Sequence, residues 1–249
     1  MRLSVQIYSL RNAGDFDTQL KLAREAGFEW IESVATHGLA PAKFAQTLTD
    51  HGLKLSSMHA SLELLETRPE HVVEACQATN CGLVVMPWLP RGEISSTGAG
   101  WAAMGERLAG IGAMLARQAL RFAYHNHDFE FFRYDGRAAL EWLLDAAPDA
   151  QVGWEADLGW VRRAGEDPMR WIRRYAGRLV AVHAKDIAPD GPRRGEDGWC
   201  TLGQGIVGWD TLLPALREHC ELFIFEHDNP SHYLQTLRSS LQLMRSTLS

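Results

Sequence analysis

The sequence lacks any long apolar run. Its longest, Gly82–Leu89, falls far short of the roughly 20 residues a bilayer-crossing helix needs. A basic tract is missing too. Twenty-five Lys and Arg stand against 31 Asp and Glu, a formal net charge of −6, whereas a nucleic-acid binder normally carries a cationic stripe. Neither a membrane nor a nucleic acid is therefore expected as a partner. Cysteine is scarce, and the four present (Cys76, Cys81, Cys200, Cys220) form no CxxC pair. That disfavours a cysteine zinc site and suits reduced, buried thiols. The opening MRLSVQIYSL has no apolar stretch behind a basic segment and no small-residue cleavage site, so a cytoplasmic location is expected. No GxGxxG follows the first strand-like run, which reads YSLRNAGDF, so a dinucleotide-binding sheet lacks its main signature. No linker or low-complexity stretch divides the 249 residues, and a single domain over 1–249 is expected.

What is present is alternation. Short apolar runs are each followed by a longer amphipathic one. The strand-like runs are Leu3–Tyr8, Trp30–Glu32, Lys54–His59, Gly82–Pro87, Arg121–His127, Val152–Asp157, Leu179–Asp186 and Leu222–Glu226. The helical ones are Phe16–Ala26, Pro41–His51, Pro69–Asn80, Trp101–Ala119, Arg137–Ala146, Pro168–Tyr175, Asp210–Glu218 and Ser231–Thr247. Strict alternation implies a parallel sheet with helical crossovers. Eight units in about 250 residues predict a closed (β/α)8 TIM barrel. The longest irregular segments, Leu89–Gly100 and Ile187–Trp209, both follow strands, and loops of that length are commonly functional.

Barrels of this kind place their chemistry at the C-terminal strand ends. There the chain carries Glu32, His59, His125 and His127, Glu155 and Asp157, His183 and Lys185, and Glu226 and Asp228. Side chains alternate with period two, so His125/His127, Glu155/Asp157, His183/Lys185 and Glu226/Asp228 are same-face pairs. Acids and imidazoles from four adjacent strands would then meet near the barrel axis, at a large desolvation cost unless a cation joins them. Mixed His and carboxylate ligation suits one divalent ion of the Mn²⁺, Co²⁺, Fe²⁺, Zn²⁺ or Mg²⁺ group better than Ca²⁺. His227 alternates with Glu226 and is expected to face outward. His51, His71, His219 and His232 fall on helical runs and are expected to be solvated.

From VQIYSLR to FEHDNP, the chain resembles the xylose isomerase-like TIM-barrel superfamily of sugar phosphate isomerases and epimerases. That superfamily includes D-tagatose 3-epimerase-like enzymes, inosose dehydratase and, more distantly, endonuclease IV. The resemblance implies metal ligation by Asp157, His183 and Glu226. His125 of the run HNH stands where the family often has Glu and could still be the fourth ligand, or Glu155, on the same face as Asp157, could supply the missing carboxylate. The missing Glu also serves as an acid/base in the epimerases, which leaves Glu155 and His127 as candidates for proton transfer. His59, Lys185, Glu32 and Trp160 are candidate substrate contacts. Glu32 can equally be a structural hydrogen-bonding group, and Lys185 can equally pair with Asp186.

The implied activity is isomerisation or epimerisation of a small sugar, keto-sugar or keto-polyol through an enediolate. Dehydration of a keto-inositol or 3-keto sugar by the same route is a close alternative. An endonuclease IV-like repair enzyme and a catalytically silent binding barrel are more remote. Trp88, Trp160, Trp199 and Trp209 fall in loops where they can wall a carbohydrate or simply pack. Arg193 and Arg194 can hold a phosphate or carboxylate, or stay solvated. Association with further copies of the chain is left open by the sequence.

Overall fold

Eight parallel strands close on themselves in the computed structural model, which describes residues 1–189 and 195–248. The barrel strands are β1 (Arg2–Gln6), β2 (Trp30–Val34), β3 (Lys54–His59), β4 (Leu83–Met86), β5 (Arg121–His125), β6 (Gly153–Asp157), β7 (Leu179–Ala184) and β8 (Leu222–Phe225). Each pairs with its chain neighbours, and β1 pairs with β8 to close the ring. Around it lie α1 (Phe16–Ala26), α2 (Pro41–Asp50), α3 (Leu62–Thr67), α4 (Pro69–Thr79), α5 (Gly98–Ala116), α6 (Ala139–Ala146), α7 (Leu158–Arg163), α8 (Pro168–Tyr175), α9 (Trp209–Leu216) and α10 (Tyr233–Leu248). This is the TIM barrel that the alternation predicts. No helix among the described residues is long and apolar enough to cross a membrane.

Local chemistry explains where the elements differ from the periodicity. The short helices α3 and α7 are not legible as apolar runs. Each is started instead by a side-chain cap: Ser61 accepts from the Leu64 N–H, and Asp157 from the Trp160 N–H, which satisfies a donor that the first turn leaves orphaned. β5 stops at His125 rather than His127. The Asn126 carboxamide takes the Asp157 N–H at 3.1 Å and donates to the Asp157 carbonyl at 3.1 Å, turning the chain off the sheet. The longest helix, α5, starts earlier than expected because Thr97 caps it through the Gly100 N–H. It ends at Ala116, and Ala119 adopts φ 57°.

Two packing devices carry the helical layer and the loop after β7. Gly105 and Gly112 on α5 let its backbone settle against Leu143 of α6 and Gln151, since a Cβ at either position would fall on a carbonyl oxygen. Asp186 gathers four backbone N–H groups, from Ile187, Gly203, Gly205 and Val207. Its carboxylate thereby pins the far root of that loop to its origin. Lys185 does not pair with Asp186, because the carboxylate's acceptor sites are taken by these amides.

Gly112→Ala should destabilise the protein by about 1–3 kcal/mol through overpacking. Gly110→Ala on the open face of α5, where a Cβ meets nothing, should stabilise it by about 0.5–1 kcal/mol. Urea unfolding midpoints of the two variants should therefore move in opposite directions.

Candidate metal centre

The interior of the barrel is divided along its axis. Leu83, Val85, Ala123, Ala181, Leu222 and Ile224 form an apolar plug. Two residues further along β5 to β8 the same inward face turns polar, with His125, Glu155, His183 and Glu226. The pleat therefore delivers these side chains as a layer above the plug.

The layer has a deep part and a mouth part. In the deep part, Glu32 accepts from Gln6 Nε2 at 2.8 Å and from the Ser57 hydroxyl at 2.5 Å. Its Oε1 lies 2.7 Å from His183 Nε2 and 2.9 Å from His59 Nε2. Glu155 Oε1 meets His59 Nε2 at 2.8 Å, His125 Nδ1 at 3.1 Å and His183 Nε2 at 3.1 Å. Burial opposes charge on both carboxyls, and Glu32 further opposes it on Glu155. The His59 and His183 imidazoles outweigh these effects and hold both carboxyls below their usual range. In return, and against its own burial, His59 rises to about 9 and His183 also rises. Two carboxylates are thus matched by two imidazolium rings.

The mouth part is not matched. Lys185 Nζ is 2.7 Å from Asp228, 3.0 Å from Glu226 and 3.7 Å from Asp157, so one ammonium serves three carboxylates. Burial pushes Asp157 up to about 7 and raises Asp228, with Lys185 only partly restoring them. Burial, followed by the charge of His183, keeps His125 well below its usual value and hence neutral.

His125, Asp157, His183 and Glu226 each offer a ligand atom, all within 4.8 Å of one another, and Asp157 Oδ2 is buried without a partner. His125 Nε2 lies 3.9 Å from that oxygen, and His183 Nδ1 lies 3.1 Å from Glu226. A neutral imidazole in His125, an imidazole in His183 that gives up its Nδ1 proton on ligation, two carboxylates and an orphaned oxygen fit a divalent cation. A second group, His59, His125, Glu155 and His183, also has ligand geometry, but its charges already compensate one another.

A cavity of about 400 Å³ opens onto the mouth part, lined among others by His59, His125, His127, Lys185, Glu226 and Trp88. His127 borders it with a buried Nδ1 that has no partner. Burial, then the nearby Lys185 charge, holds this ring down to about 3 and so neutral.

The structure thus brings His125, Asp157, His183 and Glu226 together, with His127, His59 and Lys185 on the cavity. Glu155 and Glu32 do not line the cavity. They sit fully buried beneath it, bonded to the imidazoles. Trp160 packs beside His127, with ring centroids 5.2 Å apart. Trp199 and Trp209 are buried packing residues rather than walls, and the Trp209 indole N–H donates to the Lys185 carbonyl. Arg193 and Arg194 lie outside the described residues.

Other expectations for histidines need correction. His227 does not line the cavity, yet it is buried: its Nδ1 accepts the Asn229 N–H and its own backbone N–H donates to the Ser9 hydroxyl. His51 and His71 are partly buried and engaged by Asp17 and Thr36, whereas His219 and His232 are exposed.

Sequence reasoning also missed Glu130. This fully buried carboxyl accepts from the Tyr124 hydroxyl at 2.5 Å and from the His127 backbone N–H at 2.9 Å. It therefore ties the loop that bears His127 to the outward face of β5. An acid inside the apolar run FEF was the available signal.

The family model described as "Xylose isomerase-like TIM barrel" matches residues 20–247. Inosose dehydratase 1 of Bacillus cereus is 25% identical over 162 residues, covering 57% of this chain and 54% of that protein. The chain therefore spans about half the length of the curated relatives it matches. Among solved structures, a sugar phosphate isomerase/epimerase from Parabacteroides distasonis superposes with TM-score 0.79 at 18% identity, over 100% of this chain and 95% of that one. The IOLI protein, solved with a zinc atom, gives TM-score 0.72 at 17% identity, over 99% and 96%.

Burial lifts Glu130 to about 8, so the folded state holds its proton more tightly than the unfolded chain. Its contribution to stability is full below the ordinary carboxyl range and is lost as pH rises toward 8. The parent should lose stability relative to Glu130→Gln between about pH 4.5 and 8, by at most about 1.4 kcal/mol per pH unit. Paired urea titrations at several pH values would read the difference, and parallel curves would contradict it.

Proposed function

Because the chain belongs to the xylose isomerase-like TIM barrel family, we propose that it is a metal-dependent enzyme that isomerises or epimerises a small sugar, keto-sugar or keto-polyol. One observation carries this reading: three carboxylates, Asp157 and Glu226 buried and Asp228 part-buried, crowd round a single ammonium beside a cavity and an imidazole with an unused nitrogen. His125, Asp157, His183 and Glu226 would hold the ion. When bound, a divalent cation supplies Lewis-acid polarisation of a carbonyl and its neighbouring hydroxyl.

The remaining roles belong to the chain's own side chains. His127 borders the cavity and is assigned to accept a proton from the carbon next to a substrate carbonyl, leaving an enediolate, and to return it. Burial and the Lys185 charge weaken it as a base, so the role requires a substrate oxygen to offset that charge. Lys185 offers N–H donors to a substrate oxygen, and His59 bounds the cavity floor. Glu155 accepts from His125 Nδ1 and Glu32 from His183 Nε2, which frees the opposite ring nitrogens for the ion. That is the outer-shell carboxylate–histidine arrangement which fixes tautomer and orientation. Glu155 is therefore a positioning residue in this proposal, although the sequence made it a candidate for proton transfer.

A second reading, loss of water from a keto-inositol or 3-keto sugar, is favoured by the partial likeness to inosose dehydratase. His125 in place of the family's Glu supports it too. Both readings share the proton abstraction and differ in what leaves afterwards.

Calorimetric titration with Mn²⁺, Co²⁺ or Zn²⁺ should give one ion per chain. Asp157→Ala and His183→Ala should abolish tight binding, while Glu155→Gln weakens it by about 10–100-fold. Metal-loaded protein incubated with candidate ketoses in heavy water should exchange a carbon-bound proton, and His127→Ala should slow this by about 10²–10⁴-fold. Product mass separates isomerisation from dehydration. A protein that takes up no ion under any loading condition would refute the proposal.

A further inference from the structure

One wall of the cavity has no counterpart in the chemistry above. The ligand set comes from β5 to β8, whereas the rim formed by β1 to β4 is largely apolar: Tyr8 after β1, Val34 at the end of β2, and Pro87 and Trp88 after β4, with His59 of β3 its one imidazole. Trp88 is 48% exposed, Tyr8 43% and Val34 38%. Large apolar groups left open in a concave site commonly mark where a ligand binds.

The rings are differently held. The Arg11 guanidinium covers a face of Tyr8 at 4.0 Å and donates to the Asp228 backbone carbonyl, which fixes that side of the mouth. Trp88 has no ring or cation partner among the described residues, so its face is available. A ligand with hydroxyls on every side would find few hydrogen-bond partners along this wall, and stranded hydroxyls would lose their hydration without compensation.

Resting on the metal-dependent reading above, we infer that the substrate has two parts: an oxygen-bearing head directed to His125, Asp157, His183 and Glu226, and an apolar substituent, aromatic for preference, lying on Trp88 and Val34. Trp88 and Val34 are then specificity-determining residues, and the substrate class is an apolar conjugate of a keto-sugar or keto-polyol rather than the free polyol. Both regions line the same cavity of about 400 Å³, so one molecule can reach both.

The test uses two chelators with one head and different tails. Zn²⁺-loaded full-length protein is titrated calorimetrically with acetohydroxamate and with benzohydroxamate, each corrected for its affinity for free Zn²⁺. The phenyl compound should bind at least about tenfold more tightly. Trp88→Ala should cut that advantage below about threefold, and Trp88→Phe should keep most of it. Val34→Asn, at a second exposed position, should also reduce it, which keeps the test decisive if the tryptophan variant folds poorly. Equal binding of the two chelators by the parent, or an undiminished advantage in both Trp88→Ala and Val34→Asn, would overturn the inference alone. Failure of both chelators to bind the loaded protein would overturn the metal-dependent reading and this inference with it.

Discussion

The mouth of the barrel is short of positive charge, and most of the local architecture answers to that shortage. Asp157, Glu226 and Asp228 are held within a few ångströms of one ammonium in surroundings where an uncompensated carboxylate is costly. Directly beneath, Glu32 and Glu155 are balanced by His59 and His183. The contrast between a neutralised layer and an anionic layer, one strand step apart, is what makes this a receptive site rather than a buried polar core.

That contrast needs rigid supports, and they come from neutral groups. The Asn126 carboxamide joins the ends of β5 and β6 and also takes the Trp154 indole N–H at 2.8 Å. Asp157 spends one oxygen on the α7 cap and leaves the other without a hydrogen-bond partner, 3.7 Å from Lys185 Nζ. Glu130 restrains the loop of His127 from behind. Each anchor uses a backbone group or an atom that faces away from the cavity, so the atoms facing the cavity stay unencumbered.

The alternation of runs was enough to read the barrel, because each strand buries both faces and each crossover helix buries one. Helices α1 and α8 and strand β3 begin and end where their caps and glycines indicate. The short helices α3 and α7 escaped notice because a single capping side chain, not a hydrophobic period, starts them. Period two also grouped the four ligand candidates correctly in space. What it could not order was depth: Glu155 and Asp157 share a face, yet one step along the strand separates a residue locked among imidazoles from one beside Lys185 at the mouth. For Trp199 and Trp209 the sequence left wall and packing both open, and their burial decides for packing. Position in a loop says nothing about whether that loop folds back onto the barrel. The buried Glu130 went unread because its partners, a tyrosine hydroxyl and a backbone amide, are not apparent from its place in the run FEF.

The four amides collected by Asp186 have an implication for how such a barrel diversifies. Both roots of the excursion beyond β7 converge on one side chain at the edge of the sheet, so its span is fastened independently of its contents. Grafts of different length or composition between those roots would inherit the same points of attachment. New recognition surfaces could then be exchanged over an unchanged hearth of histidines and acids, as interchangeable fittings on a fixed socket.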